Sequence, residues 1–206
     1  MIEAEFEDPN SVNPDAIGPG VFVAVAGPSG AGKDTLINYA RERLASRQQF
    51  VFVRRIITRD ADAKSEDHDT LDTAQLSAAE RSGAFALVWE AHGLRYALPK
   101  SVDADLAAGR VVIANISRQI IDELQYRYAN VALVVVSAHR DVIAQRLAAR
   151  GRESQEQIAA RLGRVAVEDT VRYEAIRIEN SGPKEQAGER FVSVLEAAAE
   201  DIAQLS

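Results

Sequence analysis

Residues 27–35 read Gly27-Pro28-Ser29-Gly30-Ala31-Gly32-Lys33-Asp34-Thr35. An apolar run from Val21 to Ala26 precedes this segment, and a helical pattern from Leu36 to about Ser46 follows it. A strand, a glycine-rich turn and a helix in this order are the setting of the P-loop pattern G-x-x-x-x-G-K-[ST]. We therefore expect residues 27–35 to bind the phosphates of a nucleotide.

The chemistry of the segment supports this interpretation. Its glycines let the backbone turn tightly, so that successive N–H groups point inward and form an anion-binding nest. The following helix adds the positive end of its dipole at the same place. Lys33 supplies a mobile full charge for the outer phosphates, and we predict that it is catalytic. The alternative is a glycine turn with a surface lysine, but it does not account for the flanking strand and helix.

Asp34 departs from the pattern, because a Ser or Thr usually offers a hydroxyl to Mg²⁺ at this position. A carboxylate about 4 Å from a phosphate charge costs roughly 4 kcal/mol at an effective dielectric constant near 20. Asp34 therefore either ligates Mg²⁺, directly or through water, or points away from the phosphates as a helix-N-terminal carboxylate favoured by the dipole. We predict the metal role, and we expect Thr35 to contact a phosphate.

Composition limits the class of protein. The chain has 206 residues, of which 47% are hydrophobic and 27% charged, which suits one globular domain. Five of its seven net negative charges fall in the first 20 residues, so we expect a flexible acidic tail at 1–19 and a near-neutral domain at 20–206. Such a domain gives no sign of nucleic-acid binding. The absence of cysteine and of a membrane-length apolar run favours a cytoplasmic setting with no membrane partner.

The order of apolar and amphipathic segments predicts an α/β fold with a parallel sheet flanked by helices. Continuous apolar runs, which suit parallel strands buried on both faces, lie at 21–26, 50–53, 85–89, 111–116 and 131–137. Helical patterns lie at 35–46, 73–82, 101–108, 117–127, 139–149, 154–174 and 184–204.

An insert at about 54–100 interrupts this alternation. It begins with Arg54, Arg55 and Arg59, which make a plausible site for an anionic acceptor. The alternative is a basic loop that packs on the acidic stretch after it. An acceptor phosphate is already ionised, whereas a sugar hydroxyl needs a carboxylate base such as Asp60 or Asp62, so these residues leave the acceptor open.

A second basic zone suggests a lid at about 148–164. Arg150, Arg152 and Arg161 surround Gly151, which could act as a hinge. Arginines on a closing element can stabilise a phosphoryl group during transfer. The alternative for each single arginine is a solvated helix face.

Several motifs together resemble the guanylate-kinase-like branch of the nucleoside monophosphate kinases. In the order of that family they are the P-loop, Ile57-Thr58-Arg59, His92-Gly93-Leu94-Arg95-Tyr96, Arg146 to Gly151, Arg161-Leu162 and Asn180-Ser181-Gly182. The resemblance runs from about Val21 to Gly182. It implies a P-loop nucleoside-monophosphate-kinase-like fold, ATP as donor with Mg²⁺, Asn180 near the adenine, and Arg150 and Arg161 as catalytic lid arginines.

The residues that would read guanine in that family are replaced here. Arg55 stands where a serine is expected, Leu87 where a glutamate is expected, and Asn115 and Ser117 at acidic positions. A leucine cannot accept hydrogen bonds from guanine, and each unpaired base donor in a closed site costs about 1–3 kcal/mol. Guanine is therefore a poor candidate for the acceptor.

The pattern as a whole is similar to the ribose 1,5-bisphosphate phosphokinase family. The shared pieces are Lys33-Asp34-Thr35, the segment from Arg55 to Asp60, Ser65 to His68, His92 to Tyr96, and Asn115-Ile116-Ser117-Arg118. The resemblance implies ATP-dependent phosphorylation of the 1-phosphate of ribose 1,5-bisphosphate to give 5-phospho-α-D-ribose 1-diphosphate, in phosphonate breakdown. We expect Arg55, Arg59 and Tyr96 to grip an acceptor phosphate, and Asn115, Ser117 and Arg118 to contact the ribose or the other phosphate.

Three other functions remain open from the sequence. They are a guanylate or other nucleotide kinase, a kinase acting on a small-sugar hydroxyl, and an inactive guanylate-kinase-like binding module. The inactive module fits least well, because Lys33, Arg150 and Arg161 are all present.

Overall fold

The computed structural model describes residues 13–58, 68–91, 93–149 and 173–205. Its elements in chain order are β1 (Ile17–Ala26), α1 (Lys33–Arg43), β2 (Phe50–Phe52), β3 (Arg55–Ile57), β4 (His68–Thr70), α2 (Thr73–Arg81), β5 (Phe85–Ala91), β6 (Leu94–Pro99), α3 (Ser101–Ala107), β7 (Val111–Asn115), a 3₁₀ turn (Arg118–Ile120), α4 (Ile121–Arg127), β8 (Tyr128–Ser137), α5 (Arg140–Ala149), β9 (Ile176–Glu179) and α6 (Lys184–Leu205).

A parallel sheet forms the centre of the described part of the chain, in the order β2-β7-β1-β8-β9. The side chains of β1 alternate between two hydrophobic clusters, because successive residues of a strand point to opposite faces. Val23 and Val25 pack with α1 and α6, whereas Phe22 and Ala24 pack with α3 and α4. Both faces of the sheet are therefore buried, which confirms the predicted α/β class.

The four strands from β3 to β6 form a second sheet, in the order β4-β3-β6-β5, with α2 in the same stretch of chain. Its strands fall inside the range predicted as an insert. Our assignment of residues 85–89 to the parallel sheet is wrong, because β5 pairs with β6 in antiparallel register. The run is continuously apolar because Ala86, Leu87 and Trp89 join the same cluster as Phe22. The hydrophobicity of a strand reflects its burial and does not indicate whether the strand is parallel or antiparallel to its neighbour.

Two boundaries also differ from the predictions. The first strand begins at Ile17, inside the range 1–19 predicted as a tail, because Ile17 pairs with Tyr128 ahead of an irregularity before Val21. The helix predicted at 117–127 is divided into the 3₁₀ turn and α4. The helix predicted at 154–174 and the lid at 148–164 lie almost wholly outside the described residues.

Within the described ranges, each helix is too short or too polar to cross a lipid bilayer.

Candidate functional site

The glycine-rich loop joins the carboxyl end of β1 to the first turn of α1. Gly27, Gly30 and Gly32 adopt φ values of 138°, 86° and 94°. A Cβ atom on Gly27 would lie 2.1 Å from the carbonyl oxygen of Val136, and one on Gly32 would lie 2.3 Å from Nδ2 of Asn180. Only glycine meets both the backbone and the space requirement at these positions. The loop geometry therefore depends on the residues that the sequence pattern picked out.

Two side chains from distant parts of the chain hold this loop. Asn180 Nδ2 donates a 2.8 Å hydrogen bond to the carbonyl oxygen of Ala31, and Arg146 Nη1 donates to the same oxygen at 3.2 Å. Asn180 is only 2% exposed, and its Oδ1 atom is buried without a hydrogen-bond partner in the described part of the chain. The structure thus places Asn180 against the glycine-rich loop, and it adds Arg146 as a loop contact that the motif comparison did not identify as such.

Lys33 folds back on the loop that precedes it. Its Nζ atom donates to the carbonyl oxygens of Gly27 at 2.8 Å and Pro28 at 3.0 Å. These bonds keep the ammonium group at the loop rather than extended along α1. A positive charge at the end of an inward-facing row of N–H groups is well placed to meet the outer phosphates of a nucleotide.

Asp34 is fixed by a neighbour from another strand. Asn115 Nδ2 donates a 2.7 Å hydrogen bond to Asp34 Oδ1, and Arg55 Nη2 lies 3.9 Å from the same oxygen. Asn115 is 6% exposed and is paired with Val25 across β7 and β1. The carboxylate is consequently held at the carboxyl end of the central sheet, the edge where ligands bind in parallel α/β folds.

The residues present fit a magnesium ion. Mg²⁺ takes one or two carboxylates together with phosphate oxygens and keeps several waters, so it does not need an all-protein cage. Within the described residues, the contacts from Asn115 and Arg55 both involve Oδ1 of Asp34, so Oδ2 could hold a cation or its water. The described residues contain no cluster of three His, Asp or Glu side chains suited to a metal.

Arg55 lies between the central sheet and the second sheet. Its side chain is 13% exposed, and its guanidinium carbon lies 5.8 Å from the centre of the Tyr96 ring. Tyr96 in turn stacks on Trp89, with ring centres 5.5 Å apart and planes 12° from parallel. Tyr96, backed by Trp89, and Asp34 therefore lie next to the Arg55 guanidinium at the start of β3.

A polar pocket opens beside this group. It is lined by side chains of α1, the β2–β3 segment and β7, namely Asp34, Ile37, Asn38, Arg41, Val53, Arg55 and Asn115. Three of these, Asp34, Arg55 and Asn115, are residues that the sequence predicted for metal or acceptor binding. Asn38 and Arg41 were missed, although their spacing of four and seven residues from Asp34 on a helix could have indicated a shared face.

Other predicted residues do not line this pocket. Ser117 and Arg118 follow β7 at the 3₁₀ turn, and Thr35 is exposed on α1. Arg54 lies 3.5 Å from Asp69, so one arginine of the basic segment does pair with the acidic stretch. Arg59, Arg150 and Arg161 lie outside the described residues, and their roles stay predictions.

Comparisons with known proteins find relatives of high identity over most of the chain. It is 48% identical over 200 residues to "Ribose 1,5-bisphosphate phosphokinase PhnN" of Chelativorans sp. (strain BNC1), covering 97% of this chain and 96% of the relative. It is 53% identical over 163 residues to the protein of the same name from Brucella melitensis biotype 2, covering 79% and 85%. No family model matches the chain.

A solved structure supports the fold. The guanylate kinase from Anaplasma phagocytophilum superposes with a TM-score of 0.61 at 17% identity, covering 89% of this chain and 87% of that one. At this identity the similarity concerns the fold and not the substrate.

Proposed function

This chain belongs to the ribose 1,5-bisphosphate phosphokinase family, and we propose that it transfers the γ-phosphate of ATP to the 1-phosphate of ribose 1,5-bisphosphate. The product is 5-phospho-α-D-ribose 1-diphosphate, formed in phosphonate breakdown. The proposal includes a phosphorylated sugar as the acceptor and a cytoplasmic setting.

One observation supports this acceptor over a nucleotide better than any other. The motif resemblance assigns Leu87 to the position at which guanylate kinases carry a base-reading glutamate, and Leu87 is 3% exposed and packed in the hydrophobic core with Trp89. The same resemblance assigns Arg55 to the position of the base-reading serine, and Arg55 faces Asp34 and Tyr96. A site without a base-edge acceptor but with an added cation suits an acceptor that is an anion rather than a purine.

The donor side of the proposed mechanism uses the glycine-rich loop. Its backbone N–H groups between Gly27 and Gly32, apart from Pro28, which has none, cradle the phosphates of ATP, with Ser29 and Ala31 in the same turn. Lys33 meets the outer phosphates, and Thr35 offers a hydroxyl. Asp34 would hold Mg²⁺, which when bound neutralises charge on the transferring phosphate. Asn180 donates to the carbonyl oxygen of Ala31 in this loop, and we assign it to the adenine side of the donor.

The acceptor side needs cations but no general base. A phosphate monoester is already ionised at neutral pH, so its oxygen can attack without losing a proton to the protein. We assign Arg55, Arg59 and Tyr96 to the acceptor phosphate, and Asn115, Ser117 and Arg118 to the ribose or the second phosphate. Arg150 and Arg161 would close on the transferring group and stabilise its charge. Positioning and neutralisation then account for the catalysis.

The test is an assay of ATP consumption with three acceptors: ribose 1,5-bisphosphate, GMP and unphosphorylated ribose. We expect turnover with the bisphosphate to exceed turnover with the other two by orders of magnitude in kcat/KM. The product should carry a diphosphate at carbon 1, which ³¹P NMR resolves as a coupled pair of signals. Turnover of GMP at equal or greater efficiency would overturn the proposal in favour of a nucleotide kinase.

A further inference from the structure

One face of α1 leads away from the nucleotide loop into the pocket. Asp34, Asn38 and Arg41 are separated by four and three residues, so their side chains lie along the same face of the helix. With a rise of 1.5 Å per residue, Arg41 lies about 10 Å further along the helix axis than Asp34. The pocket therefore has an end near the phosphate-transfer site and an end remote from it.

Arg41 is held in place at the remote end. Its Nη1 atom donates a 2.7 Å hydrogen bond to Asn38 Oδ1, and its guanidinium carbon lies 5.8 Å from the centre of the Phe52 ring. An arginine whose long side chain is already ordered loses less conformational entropy when it binds a ligand. The Arg41 guanidinium is thus preorganised for binding, unlike a freely solvated surface charge.

The charges around the pocket favour an anion. Among the described residues that line it, Arg41 and Arg55 are cations and Asp34 is the one carboxylate. The carboxylate is engaged on its Oδ1 side by Asn115 and faces Arg55. Arg41 comes from α1 and Arg55 from β3, so two separate elements contribute positive charge. Guanidinium groups present paired N–H donors that match phosphate oxygens.

We propose that the remote end of this pocket is the subsite for the phosphate of the acceptor that is not phosphorylated. Arg41 binds that phosphate, and Asn38 is a positioning residue that orients the Arg41 guanidinium. This inference rests on the proposed function, since a sugar bisphosphate must present one phosphate to ATP and place the other elsewhere. It makes Arg41 the residue that distinguishes a bisphosphate from a monophosphate acceptor.

The experiment compares ribose 1,5-bisphosphate with ribose 1-phosphate as acceptors, because the two differ only in the second phosphate. In Arg41→Ala, we expect kcat/KM for the bisphosphate to fall about 10- to 100-fold, mainly through KM, as for a lost charged hydrogen bond. The value for ribose 1-phosphate should change less than threefold. Arg41→Lys should recover part of the preference, since it restores the charge but not the planar fork.

Two further variants separate binding from folding and position. The acceptor ratio is kcat/KM for ribose 1,5-bisphosphate divided by kcat/KM for ribose 1-phosphate. Arg43→Ala removes the same charge from α1, but Arg43 pairs with Glu189 of α6, so we expect this ratio to stay unchanged. Asn38→Ala should lower the acceptor ratio severalfold. The double variant, Asn38→Ala with Arg41→Ala, should lower this ratio no further than Arg41→Ala alone. Calorimetric titration of each variant with ribose 1,5-bisphosphate, without ATP, measures the same loss independently of turnover.

The outcomes are distinguishable. If the wild-type protein does not phosphorylate the bisphosphate, the proposed function fails and the subsite with it. If the wild type does so but Arg41→Ala reduces both acceptors equally, or neither, the subsite is refuted and the function stands. Should Arg41→Ala fold poorly, as judged by its melting temperature, Arg41→Lys and Asn38→Ala still decide the question through the acceptor ratio.

Discussion

Asn115 Nδ2 donates a 2.7 Å hydrogen bond to Asp34 Oδ1 and so joins the end of β7 to the first turn of α1. Asn115→Ala removes this bond, and we expect kcat/KM to fall about 10- to 100-fold with a higher Mg²⁺ concentration for half-maximal rate, as when the partner of a metal ligand is lost. Asn115→Asp should lower kcat/KM further than Asn115→Ala does, because it places two carboxylates in contact. Asn130→Ala is the control, since Asn130 bonds to Pro19 at the opposite end of the sheet. An unchanged Mg²⁺ requirement in Asn115→Ala would count against the metal role of Asp34.

Lys33 is expected to contribute to the rate and little to stability. Its ammonium donates to the carbonyl oxygens of Gly27 and Pro28 in its own loop. We predict that Lys33→Ala lowers kcat about 10²- to 10³-fold, the usual loss for one group that stabilises transition-state charge. Its melting temperature should stay within a few degrees of the wild type. Lys184→Ala, at an exposed position at the start of α6, should leave kcat unchanged.

Gly32 and Gly83 form a matched pair for testing the loop. Both have positive φ, 94° and 74°, but a Cβ on Gly32 would meet Asn180 at 2.3 Å while one on Gly83 meets no atom of the described residues within 4 Å. Gly83→Ala should therefore lower the unfolding free energy only by the cost of a positive φ in a residue with a Cβ, about 1–2 kcal/mol. Its ATP binding should be normal. Gly32→Ala should cost more and weaken ATP binding at least tenfold. Chemical denaturation and ATP titration measure the two effects. Equal losses of unfolding free energy and of ATP affinity in the two variants would contradict the prediction that Asn180 leaves no room for a Cβ at Gly32.

Asp103 links stability to pH. Burial opposes its ionisation, but hydrogen bonds from Arg127, Lys100 and Tyr128 together lower its pKa below the ordinary value. The stabilisation is therefore complete above the ordinary Asp pKa of about 3.9 and is lost as the pH falls through the folded-state pKa.

We predict that Asp103→Asn lowers the unfolding free energy at pH 7 by about 1–3 kcal/mol, since a hydrogen-bonded charge is lost. The difference from wild type should shrink as the pH drops below about 4. Urea unfolding between pH 3 and 7 provides the measurement. A difference that grows towards low pH would show the opposite linkage.

Trp89 offers a direct signal of acceptor binding. It is the single tryptophan of the chain, and it reaches Arg55 through the stacked ring of Tyr96. We expect ribose 1,5-bisphosphate to change the tryptophan emission in the wild type. The change should require at least tenfold more ligand in Arg55→Ala, because Arg55 is assigned to the acceptor phosphate. Arg54→Ala, whose arginine pairs with Asp69, should titrate like the wild type. Equal titration of both arginine variants would remove Arg55 from the acceptor site.

The central sheet and the nucleotide loop were predictable because their signals are local. Residues 21–26 and 111–114 are continuously apolar, and the loop glycines follow directly after the first run. Strand β9 escaped prediction because only Ile178 of its four residues is buried, so it shows no apolar run. The direction of β5 was predicted wrongly because the hydrophobicity of a strand reflects its burial and not whether it pairs in parallel or antiparallel.

The candidate site was predictable where a motif exists and not where contacts span the chain. Asp34, Arg55 and Asn115 were named from motifs, and they do lie together. Arg41 and Asn38 belong to no motif, and their role depends on the position of β3 beside α1. The bond from Asn180 to Ala31 joins residues 149 positions apart, a relationship that no local pattern encodes.

That last bond has a consequence for the newly made chain. The loop at 27–35 emerges from the ribosome early, but Asn180 and the α6 helix that packs on α1 are synthesised more than 140 residues later. A nascent chain therefore carries the nucleotide motif long before it holds the groups that set the loop's shape. We therefore expect ATP to stabilise the chain only after Asn180 and α6 have been made.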